Sequence, residues 1–160
     1  KALLADKENL QKMLDSISAE AGDIPVIAPL RATAKEAISS LPVDGLTLAD
    51  SLPYLEFGYL TAHAKGIITD SGNVAEEATF HHVPCITLNS YTEHIETVKQ
   101  GTNELVGEDS EKLRQALHCL VAGDWKSGNL PDRWDGRSCI PSVRVASHDC
   151  GDRASKSSYP

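Results

Sequence analysis

The chain has 160 residues, with 15 Lys and Arg against 23 Asp and Glu, a formal net charge of −8, and 41% hydrophobic residues. At about 100–200 residues per domain this is one globular domain with enough apolar content for a core, and not a disordered chain. The acidic balance argues against nucleic acid as a partner, because a phosphate backbone is bound by a basic face. No apolar run approaches the roughly 18–20 residues of a spanning helix, and no basic stretch followed by an apolar run opens the chain at Lys1, so neither membrane insertion nor a signal peptide is expected.

In chain order, Leu3, Leu10, Met13, Leu14 and Ile17 recur at helical spacing, and Gly22 stops that helix. Pro25 to Leu30 is a short continuous apolar run, the mark of a strand buried on both faces. A short helix is predicted over Thr33–Ser40 and a strand over Gly45–Leu48. A helix over Tyr54–Ala64 starts behind Pro53, with Leu55, Tyr59 and Leu60 on one face. Gly66–Asp70 reads as a strand, Asn73–Phe80 as a helix and Cys85–Leu88 as a strand. Thr92–Gln100 reads as a helix, Asn103–Val106 as a strand, and Ser110–Ala122 as an amphipathic helix closed by Gly123. Such alternation predicts an α/β fold, a Rossmann-like doubly wound parallel sheet with helices on both faces. Residues 139–160 carry five serines and no periodic apolar stripe, and are expected to form an irregular, non-native or disordered tail beyond a domain at 1–138.

The four cysteines, Cys85, Cys119, Cys139 and Cys150, form no CxxC pair, so a structural zinc site or a thioredoxin-like motif is not expected. Cys85 and Cys119 read as small buried hydrophobes of a reducing compartment. His81 and His82 are adjacent and have no helical partner for a shared metal, and no metal ligand set is assigned. His94, in Thr92-Glu93-His94-Ile95-Glu96, is an acid–base candidate tuned by carboxylates or else an ordinary surface histidine. Asn129 to Gly136 reads as a loop carrying Trp134. Nucleophile-elbow, P-loop and zinc-protease motifs do not occur.

Ligands of doubly wound sheets bind beyond the carboxyl ends of the strands. Asp70-Ser71-Gly72-Asn73 is placed there, between a strand and a helix. A helix start offers free N–H groups and a partial positive charge, suited to phosphate. Gly72 permits close approach, Ser71 adds a hydroxyl, and Glu77 lies further along the helix as an acceptor for a ribose diol. The same residues also make an ordinary N-cap and turn, so spacing alone leaves both readings open.

Gly66-Ile67-Ile68-Thr69-Asp70-Ser71-Gly72-Asn73-Val74-Ala75-Glu76-Glu77-Ala78 is similar to the Asp-Ser-Gly-Gly-x-x-Glu-Glu signature of the UDP-N-acetylglucosamine 2-epimerases. Val83–Leu88, Tyr91-Thr92-Glu93-His94 and Gly101-Thr102-Asn103-Glu104-Leu105-Val106-Gly107 resemble that family's next strand, its Thr-Glu motif and its Gly-Thr-Asn-x-Leu-Val-Gly strand, in the same order. Leu52–Phe57 and Pro131–Arg137 resemble the flanking segments, so that the likeness covers roughly residues 7–138.

The resemblance implies the C-terminal, nucleotide-binding half of a two-domain GT-B arrangement and a place in cytoplasmic polysaccharide synthesis. The family's non-hydrolysing members, towards which Gly101-Thr102-Asn103 leans, interconvert UDP-N-acetylglucosamine and UDP-N-acetylmannosamine by eliminating UDP and adding it back. By resemblance, the partner is UDP or a UDP-N-acetylhexosamine, no cofactor is needed, and Ser71, Gly72 and the Asn73 amide hold the diphosphate while Glu77 holds the ribose.

The departures are specific. The catalytic carboxylates lie in the family's other domain, so no catalytic residue is assigned here. The family's opening His-Arg-x-x-Asn strand is absent, and its Pro-x-His-Pro-Arg-Thr reads Pro29-Leu30-Arg31-Ala32-Thr33, leaving Arg31 as a candidate ligand. Asn89 stands where many members have Arg, and His94 where the Arg of Thr-Glu-Arg falls; both are further candidates. The expectation is a UDP-binding portion that is inactive by itself, with a sheet edge open to homo-oligomer formation. The other readings are the nucleotide half of a GT-B glycosyltransferase and a folded, oligomeric remnant without activity.

Overall fold

A computed structural model of the chain describes residues 6–132, 134 and 135. The chain divides between Asn129 and Leu130. In the second part, the Trp134 N–H donates to the Pro131 carbonyl at 3.2 Å. The expected tail at 139–160 lies outside the described residues.

Eleven elements alternate through the first part: α1 (Lys7–Ala21), β1 (Val26–Leu30), α2 (Ala32–Ser39), β2 (Leu46–Asp50), α3 (Tyr54–His63), β3 (Ile67–Thr69), α4 (Gly72–Phe80), β4 (Cys85–Thr87), α5 (Ile95–Lys99), β5 (Asn103–Leu105) and α6 (Ser110–Ala122). All strand pairings are parallel. β1 pairs with β2 from Val26 opposite Leu46 to Leu30 opposite Asp50. β4 lies between β3 and β5, with Ile67 opposite Cys85 and Cys85 opposite Asn103. The α/β alternation is as expected, but the strands form two sheets, β1–β2 and β3–β4–β5, and no described pairing joins them.

Helix α1 holds the two sheets in one body. Its N-cap, Asp6, accepts a hydrogen bond from the Asn9 N–H at 3.1 Å, which satisfies one of the donors left over at a helix start. Its apolar residues Leu10, Met13, Leu14 and Ile17 then split between two cores. Met13 enters a cluster with Ile86, Val106, Leu113, Ala116, Leu117 and Leu120, with Ile17 packed against it. Leu10 and Leu14 enter a second cluster with Ile38, flanked by Leu30, Leu46 and Leu48. Each such burial contributes about 1.5–3 kcal/mol. Helix α6 is capped by Asp109, which accepts from the Glu111 and Lys112 N–H groups, and ends at Gly123 in the left-handed region at φ 80°.

Beyond α6, residues 125–129 lie as a strap along 100–103. Trp125 Nε1 donates to the Thr102 carbonyl at 2.7 Å, Lys126 Nζ to the Asn103 and Val98 carbonyls, and the Asn129 N–H to the Gln100 carbonyl at 2.7 Å. A Cβ on Gly128 would stand 2.6–2.7 Å from the backbone of Gly101 and Thr102, so only glycine fits there.

Three expectations are corrected. Cys119 is exposed, because α6 buries positions 113, 116, 117 and 120 and so turns 119 outward. Leu55 and Tyr59 of α3 are 82% and 64% exposed, and the residue of α3 that is buried is Thr61. The helix expected over Thr92–Gln100 is confined to Ile95–Lys99, because Thr92 Oγ1 accepts from the His94 N–H at 3.0 Å and makes a local turn instead.

Candidate functional site

The carboxyl ends of β3 and β4 bring several chemistry-bearing residues together. β3 ends at Thr69, and Asp70 and Ser71 turn the chain into α4, whose first helical residue is Gly72. The Ser71 N–H donates back to Thr69 Oγ1 at 3.1 Å, and the Ser71 carbonyl accepts from the Ala75 N–H. The Ser71 hydroxyl makes no capping bond. The N–H groups of Gly72, Asn73 and Val74 therefore have no intrahelical or side-chain acceptor at this helix start. Their free donors and the helix dipole favour an anion there.

A second loop closes over this turn. Asn89, just past β4, donates from Nδ2 to the Asp70 carbonyl at 2.8 Å. His94 lies against Gly72, its ring atoms Cδ2 and Nε2 2.7 and 3.0 Å from where a Cβ would be. Any side chain at position 72 would displace that ring, so glycine is required by the histidine as well as by an approaching ligand. His94 Nδ1 lies 2.9 Å from Glu76 Oε1, both side chains about one-third exposed. Residues four apart share a helix face, and so Glu76 stands on the Gly72 face under His94. With Nδ1–H given to Glu76, the tautomer is fixed and Nε2 is left beside Gly72.

The same rule puts Glu77 on the Asn73 face, next to the His94 face. Asn73 is exposed and Glu77 half-buried, and no hydrogen bond or ion pair engages the Glu77 carboxylate among the described residues. Arg31 is exposed at the end of β1, at the start of α2, and so belongs to the other sheet. The structure thus gathers Ser71, Gly72, Asn73, Asn89 and His94 around one turn, with Glu77 a turn along α4.

Glu76 is the residue that sequence reasoning passed over. It lies 18 positions from His94, and no local pattern announces their pairing. The donor atoms of Glu76, His94 and Glu96 also lie within 4.8 Å of one another. Such a set supplies three ligands of a divalent ion, although here the histidine and Glu76 already satisfy each other.

A buried chain of hydrogen bonds sets the position of the His94 loop. Thr87 Oγ1 donates to Asn103 Oδ1 at 2.7 Å, Asn103 Nδ2 to Thr97 Oγ1 at 3.1 Å, and Thr97 Oγ1 to the His94 carbonyl at 2.7 Å. Thr102 Oγ1 anchors the same strand to the Val83 carbonyl at 2.6 Å. Next to this network, burial pushes the Cys85 thiol up to about 12, against smaller opposing pulls from the Thr87 hydroxyl and Lys126. It is therefore a packing residue and not a nucleophile. An open depression of about 540 Å³ lies past β5, lined by Ser90, Gly107, Glu108 and Lys112 among others.

The sequence profile of the UDP-N-acetylglucosamine 2-epimerases matches residues 3–138. The chain belongs to that family. A UDP-N-acetylglucosamine 2-epimerase homolog of Methanococcus maripaludis is 49% identical over 74 residues, 46% of this chain and 21% of the relative. The UDP-N-acetylglucosamine 2-epimerase of Escherichia coli is 33% identical over 118 residues, 71% of this chain and 31% of the enzyme. Among solved structures, the Methanocaldococcus jannaschii UDP-GlcNAc 2-epimerase in complex with UDP-GlcNAc and UDP superposes at a TM-score of 0.68 with 31% identity. That superposition covers 91% of this chain and 42% of the other, so the chain spans less than half of the solved epimerase.

The Gly101-Thr102-Asn103 segment has a physical role in this chain. A Cβ on Gly101 would meet Thr79 and the Thr97 carbonyl at 2.5–2.6 Å, while Thr102 and Asn103 make the buried bonds described above. This motif of the epimerase family is thus a positioning device for the loop that bears His94. No described helix is long and apolar enough to cross a membrane.

Proposed function

We propose that this chain is the UDP-binding portion of a UDP-N-acetylglucosamine 2-epimerase, and that by itself it catalyses no epimerisation. The reading is carried by the uncapped start of α4 at the carboxyl end of β3, roofed by His94. The diphosphate lies on the N–H groups of Gly72 and Asn73 beside the Ser71 hydroxyl. The ribose hydroxyls donate to Glu77, the unengaged carboxylate on the Asn73 face. Asn89 holds the turn through the Asp70 carbonyl, and His94 Nε2, when protonated, adds a donor towards the anion. The UDP and UDP-GlcNAc bound in the archaeal relative support this choice of ligand.

In an elimination and re-addition of UDP, these residues hold the leaving group in place for its return. Proton transfer at the sugar needs a positioned acid and base, and here Glu77 is given to the ribose and Glu76 is engaged with His94. The free thiols of Cys85 and Cys119 fit a cytoplasmic setting. Calorimetric titration of UDP into the chain at low salt tests the reading. Binding is expected, and Glu77→Ala is expected to weaken it about tenfold, the loss of one good charge-assisted hydrogen bond. No heat at millimolar UDP, or equal affinity in the variant, would overturn it.

A further inference from the structure

We infer that Glu76, His94 and Glu96 bind one divalent transition-metal ion of the Zn²⁺ class, which clamps the loop before α5 onto α4. The inference stands apart from the UDP reading, because these three ligands need no nucleotide.

Two elements that the sheet brings together carry the set. β3 and β4 lie side by side, so α4 and the loop before α5 leave from neighbouring strand ends. Glu76 stands on α4, His94 caps α5, and Glu96 lies in the first turn of α5. His94 Nδ1 is 2.9 Å from Glu76 Oε1, and the donor atoms of all three residues lie within 4.8 Å of one another. All three side chains are half-buried. The His94 backbone is held on both sides. Its N–H donates to Thr92 Oγ1 at 3.0 Å and its carbonyl accepts from Thr97 Oγ1 at 2.7 Å. A ligand anchored in this way loses little freedom on binding.

Two carboxylates here share one imidazole. Among the described residues Glu76 pairs only with His94, no hydrogen bond or ion pair engages the Glu96 carboxylate, and no Lys or Arg pairs with either. Like charges at this range repel, and a divalent ion between them turns repulsion into attraction. Half an elementary charge, roughly, at the start of each helix opposes a cation, but two full carboxylate charges outweigh it.

The geometry suits a small ion. Bonds of about 2.0–2.2 Å place the donors of a tetrahedral site roughly 3.3 Å apart. That spacing falls between the 2.9 Å of the His94–Glu76 pair and the 4.8 Å limit of the set, so small side-chain shifts suffice. The neutral ring offers Nδ1 to the ion by carrying its proton on Nε2 instead, beside Gly72. Imidazole with two carboxylates favours Zn²⁺ or Co²⁺ over Mg²⁺ and Ca²⁺, which prefer all-oxygen sets. Three protein ligands leave the fourth position to water.

The test adds Co²⁺, a paramagnetic stand-in for Zn²⁺, to the chelator-treated 160-residue chain and follows the backbone amide signals. One ion per chain is expected, broadening residues 72–76 and 94–96 first and leaving β2 sharp, and Zn²⁺ should restore the signals. About a hundredfold excess of Mg²⁺ should not compete. Glu96→Gln, at a carboxylate without another partner among the described residues, should weaken Co²⁺ at least about tenfold with the rest of the spectrum unchanged. Sharp signals at millimolar Co²⁺, broadening centred on His118 and Cys119 or on Cys139 and Cys150 instead, or equal affinity in Glu96→Gln would each overturn the inference.

Discussion

The β1–β2 and β3–β4–β5 sheets are written in the same sequence style and packed to different degrees. Both consist of short apolar strands alternating with helices, yet Cys85 and Ile86 at the centre of the second sheet are wholly buried while Ile27 in the first stands half in solvent. The difference shows that apolar composition makes a strand eligible for burial, whereas neighbours on both edges and both faces deliver it. β4 has β3 and β5 beside it and Ala75 and Ala78 of α4 against Cys85. Among the described residues β1 has one neighbour, β2.

The sharpest way to break this comparison is paired truncation. Ile86→Ala should cost about 2–5 kcal/mol and Ile27→Ala less than about 1 kcal/mol, read from urea midpoints at constant slope. Equal losses would mean that the first sheet is as tightly packed as the second. Next in size is Asn103→Ala, which leaves the Thr87 hydroxyl without its acceptor and takes a donor from the Thr97 hydroxyl. It should cost about 1–3 kcal/mol and speed amide exchange at Thr97, whose hydroxyl holds the His94 carbonyl. Retained protection at Thr97 would show that the network does not position that loop.

The alkaline limb gives a smaller effect with a defined sign. The unfolded Cys85 thiol loses its proton above 9.0, while the folded one keeps it to about 12. Within that window unfolding releases a proton, so stability falls as pH rises, by at most about 1.4 kcal/mol per pH unit from this group. Cys85→Ala should flatten the slope between pH 9 and 12; an unchanged slope would place the alkaline sensitivity elsewhere. Smallest of all, Leu55→Ser on the exposed face of α3 should change stability by no more than about 0.5 kcal/mol. A loss of several kcal/mol would mean that this face is covered.

Most elements were legible because each carries its own punctuation. Gly22 and Gly123 close helices, Pro53 opens one, and the continuous apolar run Val26–Leu30 is a strand as read, although it is half-buried with Ile27 exposed and not buried as expected. The turn at Ser71-Gly72 was legible for the same reason. The exposure of Cys119 was also within reach, since the spacing of Leu113, Leu117 and Leu120 fixes the outward face. What lay beyond sequence reasoning depends on distant partners. In the Tyr54–His63 helix apolar residues stand on several sides, with Glu56, Thr61 and His63 between them, so no single stripe announces which side faces solvent. Likewise, the Glu76–His94 pair joins two segments whose approach is set by β3 and β4 lying side by side.

The strap at residues 125–129 also defines where the folded body stops. Helix α6 closes at Gly123, but behind it the Trp125 and Lys126 side chains and the Asn129 backbone still donate, and the Gly128 backbone is closely packed. A fusion joint or protease cut placed directly after the helix would strip those bonds from Gln100, Thr102 and Asn103, and with them the floor under the His94 loop. The same joint placed after Asn129 leaves them intact, so the usable carboxyl boundary for engineering this body lies seven residues past the end of α6 at Ala122, at a glycine-tight crossing and not at a helix cap.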